Sequence, residues 1–123
     1  MTDYGPFNTA TLPAVVVAYV DAHVNRQTDR AAATFTPEAV VIDDGHTYTG
    51  IAQIRSWLER SSSEWAYTTN PNGQQITDAD HVVVRVHLEG NFPGGQVDLR
   101  DEFALAGELI TALTIKVEDG VGL

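Results

Sequence analysis

From His81 to Glu118, three successive stretches, His81 to Gly90, Gln96 to Ala106 and Glu108 to Glu118, are rich in β-branched and aromatic residues, and the second alternates apolar with polar. Phe92-Pro93-Gly94-Gly95 and Ala106-Gly107 part them. A period of two interrupted by turn residues restricts this half of the chain to antiparallel strands that bury one face. Glu64 to Thr69 and Gln74 to Thr77, rich in β-branched and aromatic residues, extend the meander, with Asn70-Pro71-Asn72-Gly73 and Asp78-Ala79-Asp80 as further turns. A sheet with one apolar face needs a cover, and the first half of the chain supplies it.

Thr11 reads as a helix N-cap with Pro13 in the first turn, and Leu12, Val16, Tyr19, Val20, His23 and Val24 then share one face of a helix ending near Asn25. Thr28 opens a short second helix through Ala31-Ala32-Ala33 and Phe35, which Pro37 ends. Glu38 to Asp44 follows as a strand with Ala39, Val41 and Asp43 on one face, and Asp44-Gly45 turns the chain. Thr49 caps a third helix with Ile51, Ile54, Trp57 and Leu58 on its stripe. Helices first and sheet afterwards predict an α+β domain over residues 11–118, with 1–10 as an N-terminal extension and 119–123 as a C-terminal tail.

Charge and composition narrow the function classes. Seventeen Asp and Glu against seven Lys and Arg leave a net charge of −10, which makes nucleic acid and anionic membrane poor partners. The longest apolar run, Ala14 to Val20, is too short to span a bilayer, and MTDYGPFNTATLP lacks the features of a secretory signal, so a cytoplasmic address is expected. Without Cys there is no thiolate nucleophile, and His81 and His87 stand roughly 20 Å apart on a strand, too far to share a metal. No nucleotide, serine-hydrolase or zinc-protease motif occurs, and neither cofactor nor metal is expected.

The strand from Gln96 carries the most informative residue. Its alternation groups Val97, Leu99, Asp101, Phe103 and Leu105 on the apolar face, so Asp101 points inward. An unpaired ionised carboxylate does not persist there; the group is hydrogen-bonded, neutral or functional, unless a bulge turns it to water. Asp43 shares the inward parity of Val41, or simply initiates its turn, and Tyr19 on its core-facing stripe is a packing ring or a hydroxyl in a pocket. Trp57, Trp65, Tyr67, Tyr48 and Phe103 are candidate aromatic walls, Trp57 and Phe103 foremost, and His23 one turn beyond Tyr19 is a candidate polar lining group.

The order of elements, and the strings AYVDAHVNRQTDRAAATFTPEAVVIDDG, YTGIAQIRSWL and GNFPGGQVDLRDEFAL, resemble the SnoaL-like and ketosteroid-isomerase-like branch of the NTF2-like superfamily over roughly residues 11 to 117. The resemblance implies a cone of curved antiparallel sheet wrapped around three N-terminal helices and enclosing a pocket. It also implies catalytic roles for Tyr19, Asp43 and Asp101: Asp43 as the general base next to a carbonyl, Tyr19 and a protonated Asp101 as donors to the enolate oxygen. Asp44-Gly45-His46 departs from the Pro that commonly follows the catalytic Asp, and Asp44 is expected either to raise the base's pKa or to compete for its role. The partner expected is a small hydrophobic carbonyl compound, isomerised or cyclised by an aldol-type reaction. The alternative is a non-catalytic small-ligand-binding or dimerisation module. The outer sheet face, with Val83 and Ala104 among charges, is expected to form a homodimer.

Overall fold

The computed structural model describes residues 4–63 and 67–118. Helices α1 (Ala14–Val24) and α2 (Thr28–Ala32) lead into strands β1 (Phe35–Asp43) and β2 (His46–Thr49), then helix α3 (Gly50–Ser63). Strands β3 (Tyr67–Asp78), β4 (His81–Gly90), β5 (Gln96–Ala106) and β6 (Leu109–Val117) complete a six-stranded sheet of order β2-β1-β6-β5-β4-β3. The architecture is α+β, an open curved sheet with helices on its concave face, as expected for an NTF2-like chain. Among the described residues no helix is long and apolar enough to cross a membrane.

Four local expectations are corrected. The sheet is not a pure antiparallel meander: β3 to β6 form one, but β6 then lies parallel to β1. Strand β1 starts at Phe35, and Pro37 falls within it instead of closing a helix. The register there jumps from Phe35↔Ile110 to Val40↔Ala112, leaving a bulged stretch where the missing proline N–H interrupts no ladder. Asp44 and Gly45, at φ 53 and 78, make a two-residue hairpin turn into the unforeseen β2, whose mostly exposed side chains left no periodic signal. Asn70-Pro71-Asn72-Gly73 is likewise a register shift inside the single strand β3, tolerated because β3 is a sheet edge.

The caps also differ. Pro13 occupies the N-cap of α1, while the Thr11 hydroxyl donates to the Asn8 carbonyl and accepts from Gln74 Nε2. Gln74 Oε1 in turn accepts the Asn8 N–H, and Gly5 pairs with Gln74 through both backbone bonds. The N-terminal segment thus covers the edge that β3 would otherwise present.

Register explains where the core ends. On the concave face Tyr48, Val41, Leu113, Phe103 and Val82 form one row across β2, β1, β6, β5 and β4. Apart from half-buried Tyr48 this row is buried, against Val16, Tyr19 and Val20 of α1 and Ile54, Trp57 and Leu58 of α3. The next row is Asp43, Ile115, Asp101 and Val84, and beyond it Val117, Leu99 and Val86 continue the apolar face. Past the aspartate row the strands outrun the helix layer, and a hollow replaces the core.

Candidate functional site

That hollow is a cavity of about 650 Å³. Tyr19, Val20, His23 and Val24 of α1 and Trp57 and Ser61 of α3 form one wall. Tyr67, Thr69, Val86, Leu88, Val97, Leu99 and Asp101 form the sheet side, and Asp43, Asp44 and Phe92 also line the cavity. Tyr19, Asp43, Asp101, Trp57 and His23 therefore meet around one space. Two other expected wall residues do not line it. Phe103 and Tyr48 stand in the row below, where Phe103 packs edge-on to Tyr19 at 5.6 Å between centroids and Tyr48 lies 6.1 Å from Trp57. Alternation assigned the face of Phe103 correctly, but depth along the strand depends on where the helices stop. Trp65 lies outside the described residues. Phe92 was overlooked because a turn residue carries no periodicity; an aromatic in the hairpin loop at the open end of a sheet was the available signal.

Asp101 is 7% exposed, and its Oδ1 accepts no hydrogen bond. Burial first, and the charge of Asp43 second, push its pKa up to about 7. No bulge turns it outward: Val84 and Ile115 stand directly opposite in unbroken register. Asp43 lies two strands away in the same row, about 10 Å between backbones at normal strand spacing.

The Asp43 carboxyl is half-buried, and burial also raises its pKa. The Trp57 indole opposes this by donating from Nε1 to Asp43 Oδ2 at 2.9 Å; Asp44 raises it further, and His46 and Arg60 lower it. Trp57 is thus both wall and support of the carboxylate. Helix α3 brings it there from Gly50, whose φ of 84 few side chains tolerate, and Gln53 Oε1 accepts the Thr49 N–H at 2.8 Å beside that turn.

Tyr19 is buried, wedged edge-on between Phe35 and Phe103 and stacked on His23 at 5.7 Å. Burial, then Asp101, Tyr67 and Asp43, hold its hydroxyl protonated, with a pKa well above the ordinary value. Burial and then Arg26 push His23 down to about 4, so its ring is neutral at neutral pH. The Tyr67 hydroxyl donates to the Ser61 carbonyl at 2.9 Å, and the Arg26 guanidinium sits 4.8 Å over its ring. Two carboxyls with raised pKa and a protonated phenol around an apolar hollow can remove a proton and stabilise an oxyanion. Among the described residues no three acidic or histidine side chains converge as a metal site.

The SnoaL-like domain profile matches residues 16–113. A Sinorhizobium meliloti protein provisionally named a polyketide cyclase is 33% identical, over 89% of this chain and 100% of that one, with a TM-score of 0.84. A Catenulispora acidiphila protein with a ketosteroid isomerase-like fold, solved with trimethylamine, is 22% identical over 86% of both chains, with a TM-score of 0.75. SalBIII, an epoxide hydrolase/cyclase-like enzyme of pyran ring formation in salinomycin, is 19% identical over 87% of this chain and 90% of its own, with a TM-score of 0.72. At such identities the last two are alike in fold. No curated protein matches the chain.

Two expectations follow from the carboxyls. Because the Asp101 pKa rises from 3.8 to about 7, the folded chain keeps a proton that the unfolded chain releases across that window. The stability this group contributes is complete below the lower value and is lost as pH rises through the upper one. Asp101→Asn, which removes the charge and keeps the shape, is therefore expected to exceed the parent by a few kcal/mol at pH 8 and to match it near pH 4, in urea titrations at both. Trp57→Phe, which deletes only the Asp43 donor, should move the Asp43 pKa upward in an NMR titration of its carboxyl carbon; an unchanged value would remove the supporting role of the indole.

Proposed function

The chain belongs to the SnoaL-like domain family, and from that premise we propose that it is an acid–base enzyme acting on a small, largely apolar carbonyl compound through an enolate. One observation carries this reading: a single sheet row brings Asp43 and Asp101 to the floor of the same apolar hollow, beneath Tyr19. The Asp43 carboxylate takes a proton from the carbon next to the carbonyl. The electron pair moves onto the carbonyl oxygen, which accepts hydrogen bonds from the Tyr19 hydroxyl and the protonated Asp101 carboxyl. Returning the proton to a different carbon isomerises a double bond. Attack of the enolate carbon on a second carbonyl closes a ring and leaves an alcohol.

Several features support this assignment. Asp43 stays the more acidic partner through the Trp57 bond, whereas Asp101, with an orphan oxygen and a pKa near 7, is suited to donate. The trimethylamine held by the neighbour of like fold supports a small-molecule role for such a cavity. The outer sheet face carries the partly exposed Ala104 and Ala112 beside the paired charges Arg100–Glu102 and His87–Asp98, and the proposed homodimer forms through it; Val83 is already buried within the chain.

Proton exchange with deuterated water on a panel of β,γ-unsaturated ketones tests the chemistry directly. Asp43→Asn is expected to slow exchange about 100- to 10,000-fold while the fold persists. Exchange on none of the ketones, with binding retained, would favour the non-catalytic module; an undiminished rate in the variant would move the base to another carboxylate, Asp44 being adjacent. Light scattering is expected to return twice the mass of one chain, and a monomer at micromolar concentration would remove the dimer.

A further inference from the structure

The cavity has a charge imbalance that carbonyl chemistry leaves unused. Three acidic residues, Asp43, Asp44 and Asp101, border it. Its one lysine, Lys116, is in register with Arg100 on the other face of the sheet, and its Nζ lies 3.3 Å from Glu102. His23 is neutral at neutral pH. Asp101, more than nine-tenths buried, lines this space, and its Oδ1 has no hydrogen bond. Trp57, Tyr67 and Phe92 border the same hollow, as does Tyr19, whose ring is packed among Phe35, Phe103 and His23.

Carboxylates attract any cation, but an apolar, aromatic enclosure favours one that sheds its water at small cost and gains from ring quadrupoles. We propose that the cavity floor is a binding site for a small organic cation of the quaternary or tertiary ammonium type, held between Asp43 and Asp101 against Trp57, Tyr67 and Phe92. This goes beyond enolisation and does not rest on it. The cation needs Asp101 ionised, whereas enolate stabilisation needs it protonated, so the two occupants exclude one another.

The titrating group is identified by its surroundings. Asp101 is faced by Asp43 from β1, Tyr19 and His23 from α1, and Tyr67 from β3; β4 and β6 place Val84 and Ile115 opposite it. Asp44, His46 and Arg60 bear on Asp43, and Arg26 bears on Tyr67 and His23. Burial holds both tyrosines protonated and His23 uncharged, so the proton a bound cation displaces comes from the aspartates.

Choline and its uncharged carbon isostere, 3,3-dimethylbutan-1-ol, separate charge from shape in calorimetric titrations of the whole chain. Choline is expected to bind at least about tenfold tighter than the isostere at pH 8. Its affinity should fall about tenfold per pH unit below the Asp101 pKa, with proton release visible between buffers of different ionisation enthalpy. Asp101→Asn and Asp43→Asn should each lower choline affinity at least about tenfold and leave the isostere unaffected. Equal binding of the two compounds, choline affinity independent of pH between 5.5 and 8, or no choline binding at millimolar concentration would overturn the proposal. The ketone panel is read separately: choline binding without turnover upholds the cation site and rejects only enolisation, and turnover without choline binding does the reverse.

Discussion

A carboxyl group held in an apolar sheet row, with one oxygen lacking any hydrogen bond, is the constraint around which the concave face of this protein is organised. Burying Asp101 between Val84 and Ile115 is unfavourable for the ionised form, and nothing nearby offers it a cation. The charge of Asp43 adds to that pressure from two strands away. The fold tolerates the group because it stands at the edge of the filled core, where the helix layer ends and a cavity begins.

The two aspartates, though in one row, are differentiated by what touches them. Asp43 sits at the end of β1, half-exposed, and receives the Trp57 indole N–H; Asp101 sits in mid-strand and receives nothing at Oδ1. Burial raises both pKa values, but the indole bond opposes the rise at Asp43 and nothing opposes it at Asp101, the separation on which the proposed base and acid roles rest. Helix α3 supplies the difference, since the residue delivering the donor rides on the turn after Gly50. Helix α1 contributes a phenol fixed by three ring contacts, which leave its hydroxyl little freedom to reorient.

The same arrangement admits two chemistries, because the proton on Asp101 is itself exchangeable near neutral pH. On the proposed reading, the protonated group donates to an oxyanion, and the ionised one completes a pair of carboxylates bordered by aromatic side chains. In both proposals the ligand is linked to one proton.

Much of this was legible in the chain. Period-two alternation put Asp43 and Asp101 on the buried face, helical spacing put Tyr19, His23 and Trp57 on core stripes, and the strings around them carried the family resemblance. These signals are local, and a side chain's face is set by its own strand or helix. Depth was not legible: Phe103 and Tyr48 share the face of the aspartates yet lie one row deeper, because only the meeting of sheet and helices decides where packing stops. Nor were the parallel β1–β6 pairing, the continuity of β3 through Pro71, or the bond from Trp57 to Asp43, each of which joins residues distant in sequence or depends on an edge position. The sequence by itself determined which side chains face inward, since alternation is a property of each strand alone. The tertiary structure decided which of them meet around the cavity and which aspartate receives a hydrogen-bond donor, since register, helix length and the desolvation of a carboxyl are properties of the assembled layers.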